Sequence, residues 1–276
     1  SGISFFKTHE VSVIDSESCG LGSNDIGGIF TSDDRLVFAT YAGLVTATRR
    51  GTSIDCPVTT IGGLPEARLM NIYKLDEFFI LGSREKTIIT TINDFHSMTI
   101  PNISWPEKLT GFTQIDSDSY ALSSMTRGLT IISFNEGNSS YFDVPNSAPA
   151  WSPVGLSDGK TLFIKDYKIK VTGLPQDVKN TGIPASFDEE EFQSLTLSDD
   201  KTTLIATTLN NKVITYAYER ASGMIKQNTR YQLDAIGYSA ITIDSKLIVA
   251  QDNGLSIIDL KSNEITKKRL TTPSGR

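Results

Sequence analysis

Only two imidazoles, His9 and His96, and two thiols, Cys19 and Cys56, are available from which to build a reactive centre. A hydrolase triad needs a nucleophile, a base and an orienting group, and no Gly-x-Ser-x-Gly elbow occurs to carry the nucleophile. Gly20-Leu21-Gly22-Ser23 has the wrong spacing and no strand-to-helix context, so its glycines read as loop formers. His-Glu-x-x-His and Gly-x-x-x-x-Gly-Lys-Ser/Thr are both missing, which leaves zinc hydrolysis and nucleotide turnover unsupported. The cysteines stand 37 residues apart, match no metal-ligand spacing, and read as two free thiols of a chain kept in a reducing compartment. The expectation is a protein with no catalytic residue, no metal and no cofactor.

Composition narrows the partner class. The 276 residues carry a net charge of −6, which excludes a strongly basic nucleic-acid arm. Arg49-Arg50 and Lys267-Lys268-Arg269 are the basic clusters, and both are narrower than a phosphate-tracking footprint. The longest apolar runs, such as Phe78-Phe79-Ile80-Leu81, span four residues, far below the roughly 20 that a membrane helix requires. With 38 % hydrophobic and 21 % charged residues the chain belongs with folding, globular sequences. It opens Ser1-Gly2 without an initiator Met and is expected to be a domain excised from a longer protein, from which a leader or flanking domain could have been cut away.

The elements that would position any site come from a repeat. An apolar segment runs into an acidic or Ser-Asp turn and then into a β-branched run, and the unit recurs six times. Asp33, Asp76, Asp118, Asp158, Asp199 and Asp244 mark the copies at intervals of 43, 42, 40, 41 and 45 residues. A third alternating strand follows each time, as in Gly43-Leu44-Val45-Thr46 and Lys212-Val213-Ile214-Thr215, and a weaker fourth follows in most copies. Four short antiparallel strands per 40 to 45 residues predict an all-β chain and a β-propeller of six four-stranded blades, forming one domain over residues 1–276. Helical periodicity is nearly absent, a short turn around Asp188 to Phe192 being the best candidate.

The physics agrees, because a lone four-stranded sheet cannot cover its two faces and neighbouring blades must do so. Burial on both faces explains strands that are continuous β-branched or aromatic runs rather than clean alternations. Glu10-Val11-Ser12-Val13-Ile14 is expected to pair into the last sheet and close the ring; a seventh blade is the alternative, since Phe5 to Ile14 could hold two strands.

Gly254-Leu255-Ser256-Ile257-Ile258-Asp259-Leu260-Lys261 resembles the closing strand of WD-repeat propellers, and Ser157-Asp158-Gly159-Lys160 resembles their Ser-Pro-Asp-Gly turn. The Trp-Asp and Gly-His pairs of that family are missing from every copy. The resemblance implies the ring architecture and a non-catalytic role as a docking platform, an analogy from fold. A second resemblance offers an enzymatic alternative. Ser198-Asp199-Asp200-Lys201, Tyr216-Ala217-Tyr218 and Ala221-Ser222-Gly223-Met224-Ile225 are similar to one blade of lactonase-like propeller hydrolases. Such an enzyme would gather carboxylates or amides at one end of the channel, and Glu85, Asp166, Asn211 and Asp252 lie near the turns that could supply them. Asp and Asn also suit such turns for backbone reasons alone.

For a docking platform the informative residues are aromatic and Arg side chains at one end of the blades. Trp105 and Trp151 occupy equivalent blade-to-blade connections, and the second-to-third-strand turns that emerge beside them carry Tyr41, Arg84, Arg127 and Tyr167. Trp, Tyr and Arg dominate binding hot spots. Each Trp could instead plug the wedge between blades. The acidic run Asp188-Glu189-Glu190-Glu191 is expected to be a solvated loop, with a basic partner as the alternative. The expected role is a protein-interaction scaffold for a protein or peptide partner within a complex, cytoplasmic or nuclear, with no nucleic acid and no membrane span.

Overall fold

A computed structural model describes every residue except 1–2, 7–10, 15, 18, 32–33, 51–52, 56–58, 62–67, 94, 136–137, 157, 173–185, 253 and 270–276. His9, Asp33, Cys56 and the connection from Leu174 to Ala185 therefore lie outside the described residues. The protein is all-β, a six-bladed β-propeller of small antiparallel sheets whose strands follow chain order. Ser186–Glu189 is the one helix among the described residues, at the place where the sequence allowed a turn.

Two compact units make up the chain. In the first, one blade is built on Ile26–Thr31, Arg35–Thr40 and Gly43–Arg50, and the next on Leu69–Leu75, Phe78–Ser83, Thr87–Thr91 and Ser97–Met98. Their second strands are buried along nearly their whole length, as continuous apolar runs require. Val37, Ala39 and Leu44 of one sheet pack with Leu69, Ile72, Phe79 and Leu81 of the other, and the Phe30 ring meets Phe79 edge-on at 5.0 Å. Each sheet thus supplies the cover its neighbour lacks.

The second unit repeats this scheme. The core between the blades of Trp151–Gly155, Thr161–Lys165 and Lys168–Thr172 and of Phe192–Leu197, Thr203–Thr208, Lys212–Glu219 and Met224–Gln232 holds Leu162, Ile164, Leu204, Ile214 and Tyr216. Phe187, from the helical turn, drives its ring edge-on against Tyr216 at 5.1 Å. First strands approach so closely that a Cβ built on Gly155 would lie 2.2 Å from the Gln114 carbonyl oxygen, so this position excludes any side chain. The last blade, Gly237–Ile243, Lys246–Gln251, Gly254–Asp259 and Ile265–Arg269, has four strands of its own. Val11–Ile14, expected to join that sheet, pairs instead with Ile3–Phe6 in a two-stranded hairpin. The reason is local: Ile265–Arg269 already occupies the free edge beside Gly254–Asp259.

Two further expectations are corrected. Cys19 is buried and disulfide-bonded, not a free thiol. The acidic run is not a solvated loop throughout: Asp188, Glu189 and Glu191 are exposed, but Glu190 is 5 % exposed and ion-paired. A buried carboxylate must be matched by cations, and Lys212 and Arg230 on adjacent strands provide them.

Candidate functional site

The repeat sets the geometry of the loop ends through a feature the sequence reading passed over. Thr40, Ser83 and Thr208 are the final residues of the second strands in their blades, and all three are buried. The Thr40 hydroxyl accepts the Ala42 N–H at 3.1 Å and donates to the Gly43 carbonyl at 2.8 Å. The Ser83 hydroxyl accepts the N–H groups of Glu85 at 3.2 Å and Lys86 at 3.0 Å and donates to the Lys86 carbonyl at 2.8 Å. Thr208 accepts the Lys212 N–H in the same way at 3.2 Å. A short hydroxyl at the end of a strand satisfies the turn's own backbone and freezes it. The signal in the sequence was a Ser or Thr closing the second strand in four of the six blades, at Thr40, Ser83, Ser124 and Thr208.

In the first unit these locked turns hold Tyr41 and Arg84 at one cavity. Its volume is about 560 Å3, and Tyr41, Arg68, Ser83, Arg84, Glu85 and Lys86 line it. Tyr41 is 40 % exposed, its N–H is fixed to the Asp25 carbonyl at 3.1 Å, and the Arg68 guanidinium lies 5.9 Å from the centre of its ring. That distance permits a cation–π contact. None of Arg68, Arg84 and Lys86 forms an ion pair among the described residues. Two of the residues singled out from sequence, Tyr41 and Arg84, are thus brought together. Trp105, of the same unit, is half-buried, and its indole N–H is buried with no hydrogen-bond partner among the described residues.

In the second unit Trp151 and Tyr167 come together, their rings edge-on at 5.5 Å. Trp151 donates its indole N–H to the Gln193 carbonyl at 3.1 Å and packs on the apolar core between blades, which is the wedge-filling role. Tyr167 remains 46 % exposed. Arg127 lies 3.7 Å from the Asp143 carboxylate, which also accepts a hydrogen bond from Thr130 at 2.6 Å.

The turn carboxylates and amides considered for an enzymatic site serve the backbone or nearby side chains. Asp166 and Asn211 stand in left-handed conformations, with φ of 51° and 56°. Asp252 accepts the Tyr238 phenol at 2.7 Å, and that bond holds the phenol above its ordinary pKa. Glu85 borders the basic cavity. No three of His, Cys, Asp and Glu gather among the described residues in a way that could hold a metal ion. Among the described residues no helix is long and apolar enough to cross a membrane.

No protein-family model matches the chain, and no curated protein matches its sequence. Solved structures do. The extracellular domain of a candidate one-component system from B. thetaiotaomicron superposes with a TM-score of 0.63 at 15 % identity over 90 % of this chain. This chain spans only 34 % of that one. A candidate 6-phosphogluconolactonase from Bacteroides fragilis gives 0.63 at 13 % identity, covering 94 % of this chain and 86 % of its own. A catalytically inactive virginiamycin B lyase from Staphylococcus aureus gives 0.64 at 16 % identity, covering 92 % and 88 %. The likeness is one of fold. The functions named in these neighbours differ, as expected of an architecture that carries many unrelated sites.

Proposed function

We propose that this propeller is a non-catalytic protein-interaction module that presents rigid loops to a protein or peptide partner, in the manner of the WD-repeat propellers its last blade resembles. The observation that carries the reading is the pair of hydroxyl-locked turns that hold Tyr41 and Arg84 at a shared cavity. Preorganised anchors bind at little ordering cost, because the loop entropy was surrendered when the blade folded. The lactonase-like hydrolase remains the enzymatic alternative, and among the described residues no side-chain arrangement favours it over docking. The bonded Cys19 fits an oxidising compartment better than the cytoplasmic or nuclear location expected from sequence.

The test is affinity capture from an extract of the source cells, comparing wild type with Tyr41→Ala and Arg84→Ala. A specific partner should be recovered with wild type and with Lys226→Ala, a change on the largely exposed strand Met224–Gln232, and be lost with the two cavity variants. Undiminished recovery with Tyr41→Ala and Arg84→Ala would remove this surface as the docking site.

A further inference from the structure

We infer that the cavity beside Tyr41 receives an acidic peptide segment, whose carboxylates are held by Arg68, Arg84 and Lys86. This rests on the docking reading above and names the chemistry of the partner. Charge favours an anion at this place. The chain as a whole is acidic at −6, yet among the described residues this cavity gathers three cations, Arg68, Arg84 and Lys86, against one carboxylate, Glu85. All four side chains are exposed, and none of the cations is neutralised by an ion pair among the described residues. A local positive field on a negative protein selects a local, not an extended, anion.

The loop backbone favours carboxylate over phosphate. Phosphate sites in loops are typically cradles of converging main-chain N–H groups. Here the available N–H groups of Ala42, Glu85 and Lys86 are consumed by the Thr40 and Ser83 hydroxyls. With those three N–H groups taken, the guanidinium forks become the main donors; they hold carboxylate and phosphate alike, and it is the loss of the main-chain cradle that favours the carboxylate. Spacing favours a peptide. The cations arise from two separate places, one before Leu69–Leu75 and one after Phe78–Ser83, which suits carboxylates distributed along a peptide better than one compact ion. The exposed Tyr41 ring, flanked by Arg68, gives such a peptide an apolar surface to lie on.

The experiment is a fluorescence-polarisation titration of the whole chain with a fluorescein-labelled peptide of alternating glutamate and serine. A lysine–serine peptide of equal length, an oligo-dT strand and inorganic phosphate serve as competitors. The acidic peptide should bind, weaken as salt is raised, and resist displacement by phosphate at equal concentration. Reversal by Arg84→Glu or Arg68→Glu should raise Kd roughly tenfold, the effect of turning a close attraction into a repulsion near a protein surface. Glu85→Gln should tighten binding, and Lys226→Glu should leave it unchanged. Equal affinity in the Arg84 and Arg68 variants, equal loss in the Lys226 control, or displacement by oligo-dT or phosphate would overturn the inference. If the peptide does not bind while Tyr41→Ala still abolishes partner capture, the acidic ligand falls and docking stands; if Tyr41→Ala leaves capture intact, both fall.

Discussion

Glu190 and Lys212 form a clamp: the Lys212 ammonium lies 2.9 Å and 3.3 Å from the two oxygens of a carboxylate that is 7 % exposed. Arg230 adds its guanidinium at 3.1 Å, so one buried acid ties the acidic turn to the strands Lys212–Glu219 and Met224–Gln232. Lys168 completes the arrangement by donating to the Asp188 and Glu190 carbonyls, each at 2.8 Å. Removal of the acid strands cations in a partly desolvated place. Glu190→Ala is expected to cost about 1–3 kcal/mol, seen as a lower urea midpoint, because the cations it leaves keep partial access to water, whereas Glu189→Ala on the exposed side of the same turn should change it little.

Trp151 is predicted to matter first for stability. Its ring fills the apolar layer between two blades and its N–H is bonded to Gln193. Trp151→Ala should lower stability by about 3–5 kcal/mol in chemical denaturation. Trp151→Phe keeps part of the volume but leaves the Gln193 carbonyl without this donor, and should fall between.

Ser83→Ala is a test of the locked turn. The substitution deprives two N–H groups of their acceptor, and the expected loss is about 1 kcal/mol in the thermal or denaturant midpoint. Amide exchange at Glu85 and Lys86 should accelerate together, because both depend on one hydroxyl. Unchanged exchange at both would show that the turn needs no lock.

Oxidation state supplies another expectation. With Cys19 bonded, protein purified and denatured without reductant should take up no thiol-alkylating mass at that residue, and dithiothreitol should expose it. Cys19→Ser should lower the melting temperature, within a loss of about 2–5 kcal/mol if the bridge behaves as in small secreted domains.

An acid-side effect is expected at Asp200. The Ser198 hydroxyl at 2.5 Å and the Thr202 N–H at 3.0 Å hold this carboxyl below its ordinary range. A value depressed on folding contributes stability that is whole above the unfolded pKa, about 3.9, and is lost as pH falls through the folded value. Asp200→Asn should therefore flatten the acid limb of the stability curve below about pH 4. A carbon-detected titration placing the Asp200 midpoint at or above the free-residue value would contradict the assignment.

Much of the architecture was legible along the chain. The aspartate-marked turns recur because each blade must turn at the same point. Asp76 and Asp244 take the left-handed conformation there, while Asp116 accepts the Asp118 N–H at 2.9 Å and Asp158 the Lys160 N–H at 3.2 Å. The buried runs Leu36–Thr40 and Leu204–Thr208 announced sheets covered on both faces. Less of the candidate site was legible. Tyr41 and Arg84 could be placed on corresponding turns, but Arg68 could not be paired with them, since it precedes a first strand and reaches the cavity only through packing.

Local chemistry, repeated at a near-constant period, determined the six sheets, their strand order and the residues at their turns. Tertiary structure decided what those residues do: that Trp151 is a wedge, that Glu190 is a buried counter-charge, and that three cations on a net-acidic chain converge beside one tyrosine. The division has a physical cause. Turn and strand preferences act between residues a few positions apart, whereas burial, ion pairing and cavities depend on which sheet faces are pressed together.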